Sequence, residues 1–317
     1  MHNYYHWGII GTGDIAHQFA HNFESTQSNI LGVAARNFEK TKDFAQKYEI
    51  PSAYETIEEL LDNPEIDMVY IAVPNNIHHY YITKALQKGK HVLCEKAITM
   101  TLAELQEEMD LAKENNLVLQ EAMTIFNMPL YQKLKEIADS GELGQLKMIQ
   151  APFGSYKEPD PTNRFFNPDL AGGALLDIGT YAVSFARFFL TSAPTVLFSE
   201  MIPFETGVDE ESITILKNDH NELASVNLSF QAKMPKKGIV AYEKGYITIN
   251  EYPRADQAEI TYRTGETQVI EAGNSEDALN YEVQNMIETI EGHENTTLPL
   301  TTDVIQILDE MRGFWNA

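Results

Sequence analysis

A single cysteine, Cys94, stands among 317 residues. One thiol closes no disulfide within the chain, which excludes a disulfide-stapled scaffold and suits a reducing, cytoplasmic compartment. No apolar run approaches the roughly 20 residues that a membrane helix needs. The stretch Met1–Ile10 has no basic region followed by an apolar one, so no secretory leader is expected. Positive charge is scarce: 23 Lys and Arg against 47 Asp and Glu leave a net charge of −24. Such a chain repels phosphate backbones and anionic lipid, so neither nucleic acid nor a membrane is an expected partner. A nucleotide cofactor stays open, because its phosphates can rest on backbone amides rather than in a basic field. No metal site is expected either. His17 and His21 are spaced i,i+4 but have no nearby third ligand, and no His-Glu-x-x-His pattern occurs.

What is present is ordinary globular material, 43% hydrophobic and 22% charged, in a chain long enough for two cores. Over the first 120 residues short apolar runs alternate with amphipathic stretches. The runs are His6–Ile10, Ile30–Ala35, Met68–Val73, His91–Cys94 and Leu117–Leu119. The stretches Asp14–Glu24, Glu39–Tyr48, Thr56–Leu61, Ile77–Lys88 and Leu102–Glu114 read as helices. This alternation predicts a doubly wound parallel sheet over residues 1–120. Thr101 and Glu104 form a capping-box pattern at the last of these helices.

From about residue 121 to 317 the pattern changes to an expected α+β domain with a large, mostly antiparallel open-faced sheet. Helices are expected near Met128–Ser140 and Ala174–Leu190, the second preceded by a Gly/Pro/Asp-rich loop. Strands follow at Thr195–Phe204, Ser212–Lys217, Leu223–Gln231, Gly238–Tyr242, Tyr246–Asn250, Glu259–Arg263 and Thr267–Glu271. Two helices, Asp277–Gly292 and Thr302–Trp315, close the chain.

Gly11-Thr12-Gly13-Asp14-Ile15-Ala16 follows the first strand and opens the first helix. This is a G-x-G-x-x-A pattern in the context that gives it meaning. The first glycine permits the tight turn, the second admits the pyrophosphate, and the small third residue lets helix and strand pack. The helix N-terminus favours the anion. An NAD site usually places an acid at the end of the second strand for the ribose 2′-hydroxyl. Here Ala35 is followed by Arg36, which can pair with a 2′-phosphate. NADP(H) is therefore expected over NAD(H).

Two further segments carry a resemblance. One is Tyr70-Ile-Ala-Val-Pro74-Asn75-Asn-Ile-His78, with Gly89-Lys-His-Val-Leu-Cys-Glu95-Lys96-Ala97 after it. The other is Gly172-Gly173-Ala-Leu-Leu-Asp177-Ile-Gly179-Thr-Tyr181. With the glycine turn they resemble, in order and over nearly the whole chain, the glucose–fructose oxidoreductase, inositol dehydrogenase and MocA family. Tyr181, where many members carry His, is similar to the branch holding dihydrodiol dehydrogenase and NADP-xylose dehydrogenase. The resemblance implies that Pro74, Asn75 and His78 line the cofactor. It also implies that Glu95-Lys96 begins the Glu-Lys-Pro motif, whose lysine lies near nicotinamide and substrate, and that Asp177 and Tyr181 are the aspartate and the last residue of the catalytic Gly-Gly…Asp-x-x-x-His/Tyr motif. It further implies self-association, as a dimer or larger, through the open sheet. Two departures stand out. Ala97 replaces the motif's proline, and alanine disfavours a cis bond. Glu121–Phe126 lacks the tryptophan and arginine of the dihydrodiol branch.

Read on their own, Asp177 and Tyr181 are spaced i,i+4 and share a helix face. Lys96 follows a parallel strand, at the edge where open α/β sheets bind ligands. Tyrosine titrates near 10, so acting as a base near pH 7 requires about 4 kcal/mol. A lysine ammonium at about 4 Å and an effective dielectric of about 20 supplies an interaction of that size. Asp177 is expected on the far side of the pocket, since a carboxylate beside the tyrosine would oppose the lysine. Arg164 and Phe165, in the loop before that helix, are candidate substrate contacts; packing of the loop explains them equally well. The resemblance implies a sugar or polyol as substrate, and the lack of an evident anion clamp in the second domain agrees with it. The alternatives are a trans-dihydrodiol dehydrogenase or small-carbonyl reductase and, from another class, a non-catalytic NADP-binding regulator.

Overall fold

The computed structural model describes residues 4–316; Met1–Asn3, part of the stretch read for a leader, and Ala317 lie outside the described residues. The chain divides into two compact units: one is 1–122 with 279–298, the other 123–278 with 299–317.

In the first unit the apolar runs become strands that are largely buried, as a sheet covered on both faces demands, and one short edge strand joins them. They are β1 (Tyr5–Ile10), β2 (Ser28–Ala34), β3 (Ser52–Tyr54), β4 (Met68–Ile71), β5 (His91–Glu95) and β6 (Leu119–Ala122). All pair in parallel in the order β3-β2-β1-β4-β5-β6, the doubly wound arrangement. Between them lie α1 (Asp14–Asn22), α2 (Phe38–Lys47), α3 (Ile57–Asp62), α4 (His78–Gln87) and α5 (Leu102–Glu114). The capping box at Thr101 and Glu104 is formed in full, and Thr56 with Glu59 makes a second one. Strand β3 was not expected from the sequence. It is three half-buried residues at the sheet edge, with no apolar run to mark it.

The return of residues 279–298 to this unit is also absent from a single boundary near residue 120. Its cause is packing. Leu279, Val283, Met286 and Ile287 are buried in one cluster with Trp7, Phe19 and Tyr70. Burying each such side chain is worth about 1.5–3 kcal/mol.

The second unit is built on an eight-stranded sheet. Its strands are β7 (Leu146–Gly154), β8 (Thr195–Pro203), β9 (Asp209–Lys217), β10 (Leu223–Ser229), β11 (Lys237–Tyr242), β12 (Gly245–Asn250), β13 (Gln257–Tyr262) and β14 (Thr267–Glu271). The order is β14-β13-β12-β11-β7-β10-β9-β8, antiparallel except for the β7–β10 pair. Alternation along the strands separates two faces. One rung, Val196–Leu216–Ala224–Ile149–Val240–Ile247–Ile260, is buried throughout. The opposite face presents Met148, Phe198, Ile213, Tyr246 and Val269 to solvent.

Strand β7 was not expected, and it carries Pro152, a residue that rarely sits in a central strand. Its pairing with β11 ends at Gln150, so the residue without an N–H falls beyond that ladder. Helices α6 (Thr124–Asn127), α7 (Pro129–Asp139) and α8 (Thr180–Phe189) belong to this unit; α9 (Ala278–Ile290) and α10 (Thr297–Trp315) complete the chain. The single helix expected over Ala174–Leu190 instead opens with a π turn, Leu175–Gly179, before α8. Among the described residues no helix is long and apolar enough to cross a membrane.

Candidate active site

In the first unit the glycine turn links β1 to α1. Gly11 has φ +109°, and a Cβ there would lie 2.2 Å from the carbonyl oxygen of Ala72. Only glycine fits such a backbone. Gly13 differs. It caps α1 with ordinary angles and no side-chain hydrogen bond, and a Cβ on it would meet nothing within 4 Å. A helix N-terminus with free N–H groups thus opens on vacant space, where a pyrophosphate is favoured. Thr12, Asp14 and Ile15 are partly or fully exposed around this turn. Arg36 directly follows the extended end of β2 and is exposed.

The Pro74-Asn75-x-x-His78 segment ties two loops together. Asn75 Nδ2 donates to the Ala97 carbonyl at 3.1 Å. His78 is fully buried. Its Nδ1 lies 3.0 Å from the Ala97 oxygen and 3.1 Å from that of Ile98, and its Nε2 lies 2.8 Å from that of Val73. Burial pushes its pKa down, against the pull of these carbonyls. The neutral ring donates from one nitrogen to one of these carbonyls, so His78 is packed against backbone. Glu95 is likewise inward. It accepts from the Tyr70 hydroxyl and, at 3.3 Å, from the Lys96 N–H. Lys96 itself is half-buried at the carboxyl end of β5. The Lys96–Ala97 peptide bond is cis, contrary to the expectation from alanine. The intrinsic trans preference is a property of the dipeptide; here Asn75 and His78 both hold the Ala97 carbonyl, and Glu121 Oε1 accepts from the next N–H, Ile98, at 3.0 Å. Cys94 is buried, and burial with Glu108, Glu95 and Glu121 nearby pushes its thiol pKa well up. A thiol held protonated is inert.

In the second unit Gly172 and Gly173 precede the π turn. Gly172 N–H donates to the Asn167 carbonyl and Gly173 N–H to that of Phe165, which pins the loop carrying Arg164 and Phe165. Asp177 lies in the π turn and Tyr181 in the first turn of α8, both half-exposed. An Asp177 oxygen faces Arg164 Nη2 at 3.6 Å, the side chains being 20% and 64% exposed. Pairs this open contribute about 0–1 kcal/mol, so the contact exchanges readily. Phe165 carries two cations: Arg164 Cζ and Lys157 Nζ each sit 4.1 Å from its ring centroid. Tyr181 packs against Phe153, with ring centroids 6.2 Å apart.

Sequence reasoning missed Asp209, the first residue of β9. It is buried, and its Oδ2 accepts from the Leu175 N–H at 2.7 Å. Nothing in the sequence marks it, since it stands in the acidic run Asp209-Glu210-Glu211.

Residues 5–123 match the model described as oxidoreductase family, NAD-binding Rossmann fold, and residues 131–248 match the GFO/IDH/MocA C-terminal domain. The chain belongs to this family. It is an NAD(P)-dependent dehydrogenase or reductase, so the reading as a non-catalytic regulator is set aside. Among its relatives, trans-1,2-dihydrobenzene-1,2-diol dehydrogenase of Xenopus tropicalis is 34% identical over 249 residues, 77% of this chain and 74% of that protein. D-xylose 1-dehydrogenase (NADP(+)) 2 of Haloferax volcanii is 30% identical over 290 residues, 90% and 89% of the two chains. In fold the chain is similar to KijD10, a 3-ketoreductase from Actinomadura kijaniata solved with NADP and TDP-benzene. The TM-score is 0.88 at 21% identity, covering 99% of this chain and 98% of that one. Levoglucosan dehydrogenase, solved with NADH and levoglucosan, gives 0.87 at 20%, covering 98% and 97%.

Proposed function

We propose that this oxidoreductase uses NADP(H), and that it oxidises or reduces the CH–OH or carbonyl carbon of a sugar or polyol. The reading is supported in each unit separately: Gly13 leaves open space at the start of α1, and Asp177 and Tyr181 stand half-exposed at the helix start in the second unit. When bound, the nicotinamide accepts or supplies the hydride. The protein's part is binding, orientation and the proton. Gly11, Thr12, Gly13, Asp14 and Ile15 form the pyrophosphate turn; Arg36, exposed after β2, supports a 2′-phosphate; Pro74 and Asn75 border the cofactor, with His78 and Glu95 holding backbone behind it.

Tyr181 takes the hydroxyl proton during oxidation and returns it during reduction. Lys96 is the residue assigned to assist Tyr181 in this proton transfer. Asp177, loosely held by Arg164, orients a substrate hydroxyl, and Arg164 and Phe165 are substrate contacts. The relatives named for xylose and levoglucosan support a sugar. The 34% identity to a dihydrodiol dehydrogenase favours a second reading, an aromatic dihydrodiol. Against it, the 121–126 segment begins with Glu121, a buried carboxylate that serves the Ile98 backbone.

The apolar open face of the eight-stranded sheet supports a homo-oligomer, dimer or larger, which sedimentation velocity would read. A buried single thiol and the acidic balance support a cytoplasmic protein without nucleic-acid or membrane partners.

The test is NADP⁺ reduction across aldoses, inositols and dihydrodiols at mildly alkaline pH, with NAD⁺ in parallel and Tyr181→Phe as control. Turnover with aldoses or inositols, lowered 10²–10⁴-fold in the variant, is expected. Turnover with dihydrodiols alone would exchange the substrate assignment for the second reading. Full activity in Tyr181→Phe would remove the proton-transfer role.

A further inference from the structure

We propose that Asp209 is a positioning residue for the reaction, its carboxylate fixing the turn from which Asp177 and Tyr181 project. This rests on the assignment of Asp177 and Tyr181 above; the clamp itself is read from the backbone around it.

The π turn Leu175–Gly179 starts without a side-chain cap of its own. The first N–H groups of any helical segment lack internal partners and must find acceptors elsewhere. Asp209 supplies them from a strand distant in sequence. Oδ2 accepts from the Leu175 N–H at 2.7 Å, and the nearby Ala174 and Asp209 N–H groups also favour the charged carboxylate. Oδ1 lies 2.2 Å from the point where a Cβ on Gly173 would stand, with φ there at +117°. The second glycine of the Gly-Gly motif is therefore the space in which the carboxylate sits. One buried side chain thus sets the turn two residues before Asp177 and six before Tyr181, while Gly172 and Gly173 tie the same point to Asn167 and Phe165. Isolated π turns are rare and occur often at functional sites.

The clamp is electrostatically poised. Burial pushes the Asp209 pKa up to about 7, against the pull of the Leu175 N–H and of Arg312 on α10. Arg312 is itself paired with Asp309. Of the neighbouring acids, Glu210 accepts from Gln231 and Glu211 from Ser229 on β9's own side, and Asp177 faces Arg164. A protonated carboxyl places an O–H among inward-pointing N–H groups and loses acceptor capacity. The folded-state pKa lies above the unfolded value near 3.9, so this group's stability contribution is full below about pH 4 and lost as pH rises through 7. Asp209 holds its geometry best where it stabilises the fold least.

The test compares wild type with Asp209→Asn in two ways. Amide exchange of Ala174–Ile178, read as protection factors between pH 5.5 and 8.5, needs no substrate. Wild type is expected to lose protection at least tenfold as pH falls through about 7, and the variant to show the lower protection at every pH. In turnover, Asp209→Asn is expected to lower kcat at pH 8 at least tenfold and to erase the acid limb near pH 7. Its NADPH Kd is expected to stay within twofold. Unchanged protection in the variant, or a retained acid limb with wild-type kcat, overturns the proposal. If Asp209→Asn fails to fold, pH-independent protection in wild type does so by itself. Absence of turnover in wild type would instead remove the assigned function and leave the exchange result standing on its own.

Discussion

Two glycine pairs introduce helical segments in this protein, and they use the missing side chain in opposite ways. At Gly11 and Gly13 the second glycine faces vacant space and the helix start keeps its N–H groups uncapped. At Gly172 and Gly173 the corresponding space is filled by a carboxylate, which caps the segment from outside. The first arrangement leaves room for an anion that comes and goes. The second builds the anion into the protein, and what it gains is a fixed backbone. A glycine motif alone therefore does not announce a ligand; what occupies the absent Cβ position decides.

Substitutions at the four glycines and their neighbours would break or sharpen this contrast. Gly11→Ala meets both a left-handed φ and a backbone carbonyl that cannot step aside. It should cost about 3 kcal/mol or more, seen as a large drop in unfolding midpoint along with loss of NADP(H) binding. Gly173→Ala meets the same backbone strain but a side-chain oxygen rather than a carbonyl. A cost of about 1–3 kcal/mol is expected, with reduced kcat and an unaltered cofactor Kd; weakened cofactor binding there would erase the distinction between the two pairs. Gly13→Ala should leave the unfolding midpoint within about 0.5 kcal/mol, since its φ is ordinary and its surroundings are open. Its effect should appear as a roughly 10–100-fold weaker NADP(H) Kd, about 1.4–2.8 kcal/mol. Arg164→Ala, removing an exposed partner of Asp177, should change kcat/KM by less than about fivefold, the equivalent of about 1 kcal/mol.

Much of the fold was legible because the first unit obeys its own pattern. Continuous apolar runs became parallel strands, and the capping residues of α5 stood where Thr101 and Glu104 placed them. The losses were of three physical kinds. Strand β3 was too short and too exposed to leave a signal, and β7 carries Pro152, whose place in a strand depends on where a ladder stops. The π turn was invisible because its apolar spacing matches that of an α-helix within five residues. Asp209 was out of reach because its meaning depends on Leu175, 34 positions earlier. What the sequence did not show is that His78 and Glu95 face inward, onto backbone and Tyr70, rather than outward.

The return of residues 279–298 bears on how the chain is made. The first unit's core includes Val283, Met286 and Ile287, yet its sheet is complete by residue 122. At roughly 5–20 residues per second, a ribosome needs about ten to thirty seconds to travel from one to the other. Through that interval the part of the apolar cluster beside Phe19 and Phe44 that α9 fills stays open, and residues 123–278 of the second unit are synthesised inside the pause. Truncation after residue 122 would make the interval permanent, so an isolated cofactor domain must be expressed with the late helix grafted on.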